Sequence, residues 1–354
     1  VLRGTHLAVA VDEHPTFVTT GDQFDGDRAE LSGTVVFAWV EGAQVYAAAL
    51  DKTTGSVLVT PTAVSTAIGR PRLVALTTKI LLFVEATTTL LTVRSIDPAA
   101  PGTAIAGAGT TVLTTDFNLY YDAVKVGSQD LCVGACRRVT TTSYTIFTVT
   151  PALVVTTSTK ARTCDGPIAV STIPAGTSTQ VIRGNGGNIQ GDFITTATLA
   201  DVTTGQAIGT ATASPNQIAA CHRSVANGGA FRCYAFWSGA AETSTSDTTV
   251  VKFNFVDSAG TIGTEANFVR HLGVASRAFD FNGAVYVWLT FAGQSTFNGA
   301  GDLGFQSFAT QNTYFLYRDD AYLANAKCVA THGGGFAPST GRLPGVALTS
   351  GTTI

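Results

Sequence analysis

The sequence predicts an all-β fold, a β-propeller of six four-stranded blades, from three observations. Short apolar strands follow one another as hairpins, five of the third strands close on an aspartate, and the groups recur at roughly 45 to 60 residues, the size of a propeller blade. The predicted third strands are Gln44–Leu50, Thr89–Ile96, Tyr144–Thr150, Phe193–Ala200, Thr249–Val256 and Thr313–Arg318. They are followed by Asp51, Asp97, Pro151, Asp201, Asp257 and Asp319.

The whole of 1–354 reads as one domain. Residues 1–32 form an N-terminal segment, in which Thr5–Thr20 could supply a strand that closes the ring and covers its free edge. Blade one, 35–66, pairs Val36–Val40 with Val45–Leu50 across Glu41-Gly42. Blade two, 70–113, carries Arg70–Leu76, Ile80–Val84 and Leu90–Ile96. Its Leu81–Phe83 run lacks alternation, as expected of a strand covered on both faces. Blade three, 119–155, uses Asp130–Cys136 and Tyr144–Thr150. Blade four, 167–211, is predicted to hold a long loop at Arg183–Gly191. Blade five, 217–266, has strands at Ala219–Arg223, Phe231–Trp237 and Val250–Val256. Blade six, 273–330, has Ala278–Phe281, Ala284–Thr290 and Thr313–Arg318, with an insertion at Gly293–Gln306. Residues 331–354 read as a C-terminal strand or the start of a further region. Helical periodicity is almost absent.

Composition agrees with this reading. Charged residues make up 13% of the chain and hydrophobic ones 45%, whereas a globular average is about 25% charged. Low charge with abundant β-branched Thr and Val favours ordered strands over disorder. A net charge of −3 argues against a broad nucleic-acid-binding surface. No apolar run approaches a membrane span, and Ile80–Val84 is strand-sized. Val1-Leu2-Arg3-Gly4 shows no charged segment leading into a hydrophobic core. With no methionine in the chain and a strand-like 345–354, the sequence is expected to be a piece of something longer.

The turn aspartates Asp51, Asp97, Asp201, Asp257 and Asp319 are read as structural, because Asp at a corner bonds backbone amides. They do not match the Ser-x-Asp-x-Gly-x-x-Trp turn of sialidase-type propellers, and the arginines and Tyr–Glu pair of such enzymes are missing. Asp22, Asp25 and Asp27 are weak calcium candidates whose spacing departs from the EF-hand loop. Cys221 and Cys233 lie symmetrically about the predicted turn Ala226–Gly229 and are candidates for a disulfide. Cys132 and Cys136, four apart with no second pair, do not suit zinc. No nucleophile elbow, phosphate loop or metalloprotease helix occurs, so no catalytic, cofactor-binding or metal site is assigned. Gly184–Ile189 is glycine-rich but lies between strands rather than opening a helix.

The segments Ala275–Phe291, Gln311–Asp320 and Ala326–Gly335 resemble the propeller of tail nozzle proteins of short-tailed bacteriophages. Gly42–Asp51 and Arg70–Leu76 fit the same style. The resemblance spans most of the chain in pattern and is close in the last blade. It implies a non-enzymatic virion structural protein, assembled in the host cytoplasm into a homo-oligomeric ring with other tail proteins. Passing DNA would go through without specific binding, no membrane span is implied, and no cofactor is expected. Two other classes stay open. One is a carbohydrate-binding or carbohydrate-cleaving propeller, using the loops Gly184–Gly191 and Gly293–Gln306 with aromatics such as Trp237, Trp288 or Phe297. The other is an extracellular interaction scaffold, for which a Cys221–Cys233 disulfide would be the hint. The tryptophans themselves fit core positions in strands.

Overall fold

The computed structural model describes residues 23–41, 44–66, 71–87, 90–114, 117–138, 142–210, 218–223, 230–238, 250–270, 274–281, 284–291, 313–319 and 327–333. Among them the fold is a β-propeller: 24 strands form six four-stranded antiparallel sheets. Each sheet is built from consecutive strands in sequence order, which is the meander of a propeller blade.

The first sheet contains β1 (Gln23–Leu31), β2 (Thr34–Glu41), β3 (Gln44–Asp51) and β4 (Val57–Ser65). The second contains β5 (Arg72–Ala75), β6 (Ile80–Thr87), β7 (Leu90–Ile96) and β8 (Thr110–Leu113), with a short helix α1 (Pro101–Ala106) between its last two strands. The third contains β9 (Phe117–Lys125), β10 (Cys132–Arg138), β11 (Tyr144–Val149) and β12 (Val155–Lys160). The fourth contains β13 (Ile168–Thr172), β14 (Ser178–Asn185), β15 (Asn188–Thr195) and β16 (Asp201–Thr210). The fifth contains β17 (Ile218–His222), β18 (Arg232–Ser238), β19 (Val250–Asp257) and β20 (Ala266–Arg270). The sixth contains β21 (Val274–Phe281), β22 (Ala284–Phe291), β23 (Thr313–Asp319) and β24 (Lys327–Gly333).

Three expectations are corrected. The end of the N-terminal segment, Gln23–Leu31, is the first strand of the first sheet, paired with β2 through Leu31↔Thr34; Thr5–Thr20 lies outside the described residues. The third strand of the fourth sheet is Asn188–Thr195, not Phe193–Ala200, so Asp201 opens the fourth strand instead of closing the third. The supposed long loop Arg183–Gly191 is a tight hairpin. Asn185 faces Asn188 in register, leaving Gly186 and Gly187 as the turn with φ of 53° and 80°. Two successive residues at positive φ are what a two-residue hairpin demands, and glycine supplies them without strain.

The described chain falls into two compact units. In the first, alternate residues of β2, β3 and β6 (Val36, Ala38, Val40, Val45, Ala47, Leu82, Val84) pack with Leu73 and Ile105 into one apolar cluster. The opposite face of the first sheet carries Trp39 stacked on Tyr46, ring centroids 6.0 Å apart. Every residue from Ile80 to Glu85 is buried, which is why this strand shows no polar alternation. In the second unit the first strands of consecutive sheets run side by side, β13 beside β17 and β17 beside β21. The fourth strands β12 and β16 are largely exposed, and their threonines supply β-propensity that tolerates water.

Glu85 ends the buried run of β6 at 1% exposure, and neither carboxyl oxygen has a hydrogen-bond partner among the described residues. Burial raises its pKa from 4.5 to about 7. The folded chain therefore holds this proton more tightly than the unfolded one, and the associated stability, complete below pH 4.5, is lost as pH rises through 7. Glu85→Gln is expected to raise stability by about 2–3 kcal/mol at mildly alkaline pH and leave it nearly unchanged in acid. Urea unfolding of both proteins at the two pH values checks this, and a gain of equal size in acid would sink the assignment.

Candidate functional site

Several of the polar side chains that the fold buries link neighbouring sheets. Aspartate is poorly suited to a strand interior unless its carboxylate is bonded, and two first-strand aspartates each bond a backbone amide of the next sheet. Asp27 in β1 accepts the amide of Arg28 and, at 2.8 Å, the amide of Leu73 in β5. Asp122 in β9 accepts the amide of Ala123 and, at 2.9 Å, the amide of Val170 in β13. In each case a carboxylate on one sheet staples the first strand of the next. These bonds satisfy strand-edge amides that the twist between sheets leaves unpaired.

A second link between the third and fourth sheets is ionic. Asp192 on β15 is 0% exposed. Its Oδ2 accepts Arg183 Nε at 2.8 Å and Tyr144 Oη at 2.9 Å, its Oδ1 accepts Gly205 N at 2.6 Å, and Arg162 Nη1 stands 3.7 Å away. Arg183 also donates to the carbonyl of Thr163. Arg162 reaches on to Asp201, which Lys160 meets at 3.0 Å. Burial, then Asp192, raises the Tyr144 phenol well above its ordinary range. Burial works against Asp201, but hydrogen bonds from Arg162 and Lys160 outweigh it and hold that carboxyl below the usual value.

Between the fourth and fifth sheets, Ser171 Oγ lies 2.6 Å from His222 Nδ1. The two residues are 4% and 8% exposed. Cys233 sits opposite His222 in the β17–β18 register. Gln180 sits opposite Ser171, fully buried, with no partner for its amide among the described residues. Burial holds the His222 pKa down at about 3, so the ring is neutral at ordinary pH, and pushes the Cys233 thiol up to about 12. A hydroxyl beside an imidazole is the beginning of a nucleophile–base pair. Here the second ring nitrogen, Nε2, meets no orienting carboxylate among the described residues. The pair functions as an inter-sheet bond.

The residues singled out by sequence are scattered by comparison. Asp51 Oδ1 accepts the amides of Thr53 and Thr54. Asp97 accepts the amide of Ala99 and pairs with Lys79. Asp257 accepts the amides of Ala259 and Thr261. Asp201 instead joins the Arg162 and Lys160 network, and the side chain of Asp319 lies outside the described ones. Asp22 and the side chain of Asp25 are likewise outside, while Asp27 is committed to the staple; no metal-holding cluster occurs among the described residues. The Cys221–Cys233 pairing is corrected by one residue of register. Cys221 faces Tyr234, so its side chain points to the other side of the sheet from Cys233, and both remain thiols. Trp237 is fully buried and donates Nε1 to the Thr210 carbonyl at 3.2 Å. Its ring fills the space over Gly209, where a Cβ would meet it at 2.3 Å. Trp288 and Phe297 have no described side chain. No described helix is long and apolar enough to cross a membrane.

No family model matches the chain, and no curated protein matches it in sequence. Solved structures do match. The chain is similar to the SapL1 lectin in complex with alpha methyl fucoside, with TM-score 0.52 and 11% identity over 88% of this chain and 96% of the lectin. It is similar to a prolyl endopeptidase, with TM-score 0.51 and 12% identity over 90% of this chain and 42% of that one. At such identity the likeness shows the propeller fold and nothing of activity.

Proposed function

We propose that the chain is a non-enzymatic structural propeller and that it forms part of the distal tail tube or nozzle of a short-tailed bacteriophage, around the channel through which DNA leaves. The observation that carries the structural reading is the placement of the reactive groups. Asp192, Arg183, Tyr144 and His222 are buried and bonded to one another, to Ser171 or to backbone, and the buried Cys233 sits opposite His222. A catalytic acid, base or nucleophile has to meet substrate, whereas these groups meet the neighbouring blade. A conduit that DNA traverses also needs sheets that do not slide apart, which carboxylate staples provide. The phage assignment itself rests on the resemblance of 275–291, 311–320 and 326–335 to nozzle propellers, and a net charge of −3 suits a passage that must not grip DNA.

A second reading, carbohydrate binding, is favoured by the likeness to a fucoside-bound lectin over 88% of the chain. Trp237 would not serve it, because its ring is enclosed, and Gly184–Gly191 offers a narrow hairpin in place of a loop. The insertion Gly293–Gln306 lies outside the described residues. Light scattering on the purified chain at several concentrations, in reducing buffer, separates the two when paired with calorimetric titration of α-methyl fucoside. A homo-oligomer of fixed stoichiometry that takes up no fucoside is expected. A strict monomer overturns the assembly reading, and saturable fucoside uptake by that monomer supports the second.

A further inference from the structure

The β14–β15 hairpin contains an asparagine–glycine step, Asn185-Gly186, whose surroundings are unusual in their chemistry. Such a step is prone to deamidation, because glycine has no Cβ to shield its amide nitrogen from the preceding side chain. That nitrogen attacks the asparagine Cγ and closes a five-membered succinimide. To do so it must turn freely toward the Cγ. Gly186 is exposed and Asn185 half-buried, so solvent reaches the site. Yet both reacting ends are held. The Gly186 amide donates to Asp165 Oδ2 at 2.8 Å and Oδ1 at 3.0 Å, and Asn185 Nδ2 donates to Gln190 Oε1 at 3.0 Å. Asp165 comes from the segment before β13, 21 residues earlier, and is itself tied in by its amide bond to the Gly184 carbonyl.

We propose that Asn185-Gly186 is a latent deamidation site and that Asp165 guards it. The guard acts twice. Its carboxylate holds the nucleophilic nitrogen in the turn geometry, and its negative charge opposes the charge that develops on that nitrogen as the proton leaves. When the guard is absent, the Gly186 nitrogen loses its proton to solvent base and bonds to Cγ. The Cγ–Nδ2 bond then breaks and Nδ2 departs as ammonia after taking a proton from water. Water opens the succinimide at either carbonyl, giving aspartate or isoaspartate with no change of oxidation state. Isoaspartate adds a methylene to the backbone where β14 turns into β15, and so disrupts the Asn185↔Asn188 pair.

The test is peptide mapping, with isoaspartate quantified by mass spectrometry, after prolonged incubation in mildly alkaline buffer at physiological temperature. The steps Asn227-Gly228, Asn282-Gly283 and Asn298-Gly299, outside the described residues, serve as references in the same digest. In the folded wild type Asn185 is expected to deamidate about tenfold or more slowly than in urea, since a charge-assisted hydrogen bond must first break. Asp165→Ala is expected to remove most of that protection, and Asp165→Asn, which keeps one neutral acceptor, to fall between. Circular dichroism establishes that each variant is folded. Equal rates in native and urea-unfolded wild type overturn the proposal, as do equal rates in wild type and folded Asp165→Ala. Should the alanine variant melt below the assay temperature, Asp165→Asn decides: faster loss of Asn185 than in wild type upholds the guard, and an unchanged rate refutes it.

Discussion

Asp192→Ala is expected to cost about 3–5 kcal/mol of folding stability, the range for stranding one partner of a buried ion pair. The size follows from what the carboxylate leaves behind. Arg183 is 2% exposed and keeps only the Thr163 carbonyl as a described acceptor once Asp192 is gone. The buried Tyr144 hydroxyl loses its acceptor in the same step, as does the amide of Gly205, a residue that water reaches. Each buried donor without an acceptor adds about 1–3 kcal/mol, although effects within one network do not sum. Urea unfolding should show a lower midpoint at unchanged slope, because the surface exposed on unfolding is the same. A cost below about 1 kcal/mol would mean that water satisfies these groups and that the network is decorative. Replacing Arg183 and Asp192 together by apolar residues of similar volume should cost less than Asp192→Ala alone, since no charge is stranded.

The repeat of strands was legible because β-branched and apolar residues alternate with turn signals, and because turn aspartates such as Asp51 and Asp257 act locally, on amides two to four residues ahead. The fourth sheet was misread at the point where glycines carry two meanings. Gly184 and Gly191 lie inside strands, whereas Gly186 and Gly187 make the turn; reading all of them as loop displaced the third strand by five residues and put Asp201 in the wrong role. The inter-sheet groups were not legible as partners at all. Tyr144 and Asp192 are 48 residues apart, as are Asp122 and Val170, and only the stacking of sheets joins them. One signal was present: Asp27, Asp122 and Asp192 stand inside strands, where an unpartnered carboxylate is too costly to persist, so each announced a bond without naming its partner. The cysteine pairing failed for a related reason. A hairpin's register depends on its turn, and a slip of one residue exchanges His222 for Cys221 opposite Cys233.

Acid should loosen the fourth and fifth sheets through His222. Its folded pKa of about 3 lies below the ordinary 6.5, so the unfolded chain takes up a proton that the folded chain refuses. Stability from the neutral ring is complete above pH 6.5 and is lost as pH falls from there toward 3. By pH 4 the loss amounts to about 3 kcal/mol. The geometry gives the reason. Nδ1 is already engaged with Ser171 Oγ at 2.6 Å, and an imidazolium carries N–H on both ring nitrogens, so that its Nε2–H faces surroundings with no acceptor among the described residues. Asp51 and Asp97, whose carboxyls are held below their usual range by hydrogen bonds from Thr54 and Lys79, lose stability at still lower pH, so the wild-type profile alone cannot isolate the histidine. The difference between wild type and His222→Asn can, because asparagine can keep a partner for Ser171 and does not titrate. That difference is expected to favour the wild type at neutral pH and to shrink or reverse toward pH 4, while its Ser171→Ala counterpart keeps the histidine and should retain the acid slope. A wild-type minus His222→Asn difference that stays constant from neutral pH to pH 4 would show that the ring is protonated without leaving its place, and that the hydrogen bond to Ser171 survives the change of charge.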